Sequence, residues 1–152
     1  MTTLISTATM PKFGAIDAKT VEVVKISYGK CCIANGFFDD FYQEFVSASP
    51  RIRDKFVNTD FAKQKQLLRQ GINFMVMFAG GSSMAKGTVQ DLGKSHSKPN
   101  LDIAPDLYAM WVQALLKTVK KYDQDFTPEI EKAWITAMTP GIELMKSLHA
   151  AA

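Results

Sequence analysis

His96 is one of two histidines in a chain of 152 residues, and it ends the run Val89-Gln90-Asp91-Leu92-Gly93-Lys94-Ser95-His96. Wound as a helix, this run places Val89, Leu92 and Gly93 on the face of His96, at offsets of seven, four and three residues. An imidazole closing an apolar stripe can hold a buried metal or a haem iron. Taken alone, such a histidine is more often a core residue with one hydrogen bond. Two further polar side chains interrupt apolar stripes: Tyr42 stands among Phe38, Phe41 and Phe45, and Gln64 lies one turn before Leu68. A buried hydroxyl or amide without a partner costs roughly 1–3 kcal/mol, so each must find one. Tyr42 can bond a backbone carbonyl, and Gln64 can reach water. Alternatively, both aim donors into one pocket facing His96, where they would stabilise a partly negative diatomic ligand on an iron.

The elements that must position these three residues are helical. The chain is 47% hydrophobic and 22% charged, the balance of one soluble domain, and its helix breakers cluster between long periodic segments. No run of strict two-residue alternation stands out, so the expected class is all-α. Helices are expected over 17–34, with Val21, Val24 and Tyr28 inward, and over 36–48, with its aromatic face. Pro50 opens a short turn to Phe56. Asp60 caps a helix running to Ala79, where Gly71 would let a neighbouring helix approach. The histidine-bearing helix follows over 84–97, and Lys98-Pro99-Asn100 ends it. A strongly amphipathic helix is expected from Asp102 to Tyr122. The last begins at Thr127-Pro128 and reaches Leu148, with a kink or break at Pro140.

A net charge of +3 lacks the dense cationic face that phosphate binding requires, which argues against nucleic acid as a partner. No apolar run is long enough to span a membrane. Residues 1–15 lack the features of a signal peptide and are expected to form a flexible extension ahead of a domain over 16–152. Cys31 and Cys32 are adjacent, where a bridge would be strained, and are expected to be reduced thiols in a cytoplasmic protein. The basic residues Arg51, Arg53, Lys55, Lys63, Lys65 and Arg69 read as a solvated helix face. His149 is expected to be exposed near the Ala-rich end.

The ordered set Phe41-Tyr42, Pro50, Phe56, Gln64, Leu68, Leu92-Gly93-x-x-His96, Tyr108, Trp111 and Ala133-Trp134 resembles bacterial globins. More specifically, it resembles single-domain globins of the flavohaemoglobin lineage, over about residues 17–149. The resemblance implies a globin fold, a helical sandwich around a haem pocket, and a non-covalent b-type haem (iron protoporphyrin IX). It makes His96 the iron ligand and packs Phe56 on the porphyrin. Tyr42, Gln64 and Leu68 would line the ligand-binding side, with Leu92 on the stripe of His96 and Tyr108 beside it. Helical phase selects Gln64 over Gln66, since Gln64 stacks with Leu68, Ile72 and Met75.

Three departures from the resemblance matter. Residues 97–106 are about two longer than in flavohaemoglobins, and the last helix has no clear match to the glutamate that orients their iron-bound histidine. The third is that a flavin- or nicotinamide-binding reductase domain is not expected beside the globin-like stretch. The implied function is reversible binding of oxygen, with nitric oxide and carbon monoxide as further ligands, in a monomer or dimer. Conversion of nitric oxide to nitrate would need a separate reductase, which some of the basic residues could meet while others pair with haem propionates. A globin-fold gas sensor or haemless regulatory module acting through a partner protein is the alternative.

Overall fold

The computed structural model describes residues 16–150, in which seven helices and no strand occur. They are α1 (Ala18–Ile33), α2 (Phe37–Ser47), α3 (Pro50–Lys55), α4 (Phe61–Ala79), α5 (Ser83–Ser95), α6 (Leu107–Tyr122) and α7 (Pro128–Ser147). The expected flexible extension over 1–15 lies outside the described residues.

Five of the seven helices start where a short polar side chain accepts an otherwise unpaired amide. Asp17, Ser49, Asp60, Ser82 and Thr127 bond the amides of Lys19, Arg51, Lys63, Ala85 and Ile130, and prolines open α3 and α7. Gly36, at φ +100°, precedes α2 in a conformation that disfavours any side chain.

The packing follows the apolar stripes. Helix α4 lies against α5 and α7, α2 against α6, and α1 against α7. Trp134 of α7 is fully buried at the α1 crossing, and its indole Nε1–H donates to Ser27 Oγ at 2.9 Å. Tyr28 meets the same indole edge-on, and its hydroxyl donates to the Arg69 carbonyl at 2.9 Å, tying α1 to α4.

Four local expectations are corrected. Helix α6 begins at Leu107 rather than Asp102, because Pro105 disfavours helical backbone at the residue before it and residues 102–104 turn back on the end of α5. Of the kink or break expected at Pro140, the break does not occur, and helix α7 runs through the proline. Buried Trp134, Ala137 and Met138 before the proline and Ile142, Leu144 and Met145 after it hold both halves in the core, offsetting the missing amide. The close helix approach occurs at Gly93 rather than Gly71. A Cβ on Gly93 would stand 2.7 Å from Leu148 Cδ1 and 3.3 Å from Met145 Cα, whereas one on Gly71 would find only Leu92, at 3.9 Å. His149 is not free in solvent: its side chain is 19% exposed and bonds Asp102.

Candidate functional site

Helices α2 to α7 line a cavity of about 460 Å³, within the range of small-molecule and cofactor sites. Its lining includes all seven residues singled out from the sequence: Tyr42, Phe56, Gln64, Leu68, Leu92, His96 and Tyr108. Leu67 and Leu101 also line it and are 50% and 56% exposed, so the cavity opens to solvent beside them.

His96 caps α5 and is largely buried. Its Nδ1 lies 2.7 Å from the Leu92 carbonyl, one turn back, and 3.1 Å from Ser95 Oγ. A carbonyl can only accept, so Nδ1 carries the proton and Nε2 keeps its lone pair. Burial lowers the pKa of the ring below its ordinary value, against the opposing pull of the Leu92 bond, so the imidazole is neutral at pH 7. Tyr108 sits beside it, ring centroids 6.4 Å apart, with its hydroxyl pushed up to about 12 by burial. Among the described residues no carboxylate bonds His96. Glu143, on the adjoining part of α7, is exposed and pairs with Lys146 instead.

Tyr42 and Gln64 meet on the same cavity. Gln64 Nε2 donates to the Tyr42 hydroxyl at 3.1 Å, and that hydroxyl in turn reaches the Gln64 backbone carbonyl at 3.5 Å. The two polar groups therefore satisfy one another in part, and Tyr42 reaches a backbone carbonyl as the sequence allowed. At 3.5 Å the phenol proton is barely held, so it remains available to a ligand in the cavity. Burial pushes the Tyr42 hydroxyl up to about 12, against the lowering effect of the Gln64 bond, and keeps that proton in place at neutral pH. Gln66 is exposed and does not line the cavity. Phe56, which lines the cavity, stacks 5.8 Å from Phe61, and both rings make edge-type contacts with Tyr42.

Some lining residues escaped the sequence reading. Met75 and Trp111 lie on α4 and α6, whereas Ile103 and Leu101 come from the loop after α5. An isolated Ile103 in a polar stretch was the available signal. The basic segment is engaged locally: Arg51 forms a two-pronged bond with Asp106, Lys65 pairs with Asp39, and Lys55, which lines the cavity, donates to the Leu101 carbonyl.

The donor set decides what such a pocket can hold. Among the described residues no group of three or more His, Cys, Asp or Glu side chains could bind a bare metal ion. A single neutral imidazole cannot substitute for the four ligands such an ion needs. It does suit an iron already held by four porphyrin nitrogens, and apolar walls with one imidazole on them fit a haem.

The model of the globin family matches residues 39–142. A crystal structure from Pseudomonas aeruginosa PAO1, described as that of a protein structurally highly homologous to a human haemoglobin, is 46% identical. The match covers 86% of this chain and 98% of that chain, with a TM-score of 0.83. No curated protein matches the chain. With the all-α fold and the single-histidine pocket, these likenesses place the chain in the globin family.

Proposed function

We propose that this globin binds a non-covalent b-type haem through His96 Nε2 and takes up oxygen reversibly. The haem would supply an iron centre at which oxygen, nitric oxide or carbon monoxide can bind. One observation carries the proposal: a single neutral imidazole, its Nδ1–H held by the Leu92 carbonyl, lines an apolar cavity that also receives the Tyr42–Gln64 pair. Leu92 fixes the ring orientation, and Phe56 and Leu68 supply apolar walls. Tyr42 O–H and the second N–H of Gln64 serve as donors toward the ligand, stabilising the negative charge that oxygen acquires.

The Tyr42–Gln64 pair supports grouping the chain with single-domain globins of the flavohaemoglobin lineage. Its carbonyl-bonded His96 gives a different chemical bias. A neutral acceptor raises the basicity of an imidazole less than a carboxylate does, which favours reversible binding over cleavage of the oxygen–oxygen bond. The enzymatic reading remains specific and separable: nitric oxide, dioxygen and one electron from a separate reductase give nitrate. Nitrate formation with a reductase supplied decides it.

The test of the binding reading is the oxygen dissociation rate. Tyr42→Phe removes a donor worth about 1.5 kcal/mol to a partly charged ligand and should raise that rate about tenfold. A rate equal to that of the unaltered protein would overturn the donor role. Protein from haem-replete cells that shows no Soret absorption would overturn haem binding itself.

A further inference from the structure

We infer that His149 and Asp102 form a clasp that positions His96. The loop after α5 turns back on the helix end through three backbone bonds. Leu101 N–H donates to the Ser95 carbonyl at 3.1 Å, Asp102 N–H to Ser97 at 2.9 Å, and Ile103 N–H to His96 itself at 2.9 Å. Leu101 and Ile103 then line the cavity beside His96. This path requires Asp102 at φ +50°, the one non-glycine positive φ among the described residues. Such backbone is strained for a residue with a side chain and persists only where neighbouring contacts impose it.

The imposing contacts come from the far end of the chain. His149 Nε2 lies 2.8 Å from Asp102 Oδ1, and the His149 carbonyl accepts from Lys98 N–H at 2.7 Å. One residue earlier, Leu148 packs onto Gly93, on the stripe of His96. The terminal turn thus grips the histidine-bearing segment on both sides: apolar contact before His96, hydrogen bonds after it. Residue types agree with this function. Aspartate tolerates left-handed backbone better than most residues while offering the carboxylate that His149 needs. The long stretch 97–106, unexplained by helix packing, has a use here: it reaches the terminal turn.

His149 and Asp102 are positioning residues. They neither line the cavity nor hydrogen-bond His96, and act through the Ile103–His96 bond and the loop wall. The inference rests on His96 being the iron ligand, and the test separates the two ideas.

The experiment takes haem-loaded protein with the variants His149→Ala, Asp102→Gly and Asp102→Asn. Asp102→Gly relieves the backbone while removing the carboxylate; Asp102→Asn keeps both the backbone tolerance and an oxygen acceptor. Two readouts are taken: the iron–imidazole stretching band in the ferrous Raman spectrum, and amide hydrogen exchange at Ile103. The clasp predicts a shifted or broadened band and about fivefold faster Ile103 exchange in His149→Ala and Asp102→Gly, with Asp102→Asn close to the unaltered protein. An unchanged band and unchanged exchange in both disrupting variants would overturn the clasp. Absence of any iron–imidazole band in the unaltered protein would instead overturn the ligand assignment, and the Ile103 exchange would still decide whether the clasp holds the loop.

Discussion

Gly93 and Gly87 lie on the same helix, α5, and alanine should act on them in opposite directions. At Gly87 a Cβ meets nothing within 4 Å, so Gly87→Ala gains only the helical preference of alanine, about 0.5–1 kcal/mol. Gly93→Ala has the same local gain but places its methyl 2.7 Å from Leu148 Cδ1 and 3.3 Å from Met145 Cα. The leucine tip can rotate away, whereas the Met145 backbone belongs to a buried stretch of α7 and cannot yield without moving the helix. Overpacking of this kind costs about 1–3 kcal/mol, exceeding the local gain. Because the propensity term is common, the difference between the two variants isolates the packing cost, about 2 kcal/mol at mid-range. For a chain of this length that separates the melting temperatures by about 4–8 °C, with Gly87→Ala above the unaltered protein and Gly93→Ala below it. The assay is thermal denaturation of all three in the same haem state. If Gly93→Ala melts as high as Gly87→Ala, the tight seat of α5 on α7 is wrong.

Two further outcomes follow from buried polar groups. Ser27→Ala leaves the fully buried indole N–H of Trp134 without its acceptor and should lower stability by about 1–3 kcal/mol in urea denaturation; Ser27→Thr, which restores an acceptor, should cost less. Tyr42 and Tyr108 have hydroxyls raised by burial from 10.0 to about 12, so the unfolded chain loses these protons first as pH rises. Their contribution is fully present below about pH 10 and is lost as pH climbs through about 12. Melting temperatures across that window should fall less steeply in a Tyr42→Phe, Tyr108→Phe double variant.

The parts of this site that were legible in the sequence are those governed by helical phase. Tyr42, Gln64, Leu68, Leu92 and His96 lie on helices or at a helix end, where a period of 3.6 residues fixes which side chains share a face. Gln64 could be told from Gln66 for that reason alone. Residues placed by tertiary contact were not legible. Nothing local marks Ser27 as the acceptor for Trp134, which lies 107 residues away. Gly93 was seen on the stripe of His96, but its neighbour Leu148 belongs to another helix end. His149 reads as a terminal residue until the loop from Ser97 to Asp106 is seen to fold back towards it. Pro140 misled in the opposite sense: its local effect is to break a helix, and buried neighbours on both sides overrode it.

On the proposed reading, His96 Nε2 is the group this chain offers to a haem iron. It is tested most directly by His96→Gly, read as the ferrous absorption spectrum with and without carbon monoxide, before and after adding free imidazole. The substitution should abolish the spectrum of a histidine-bound haem, and imidazole, entering the space left on the cavity wall, should restore it. A His96→Gly protein that retains its haem and an unchanged spectrum without imidazole would rule out His96 as the iron ligand.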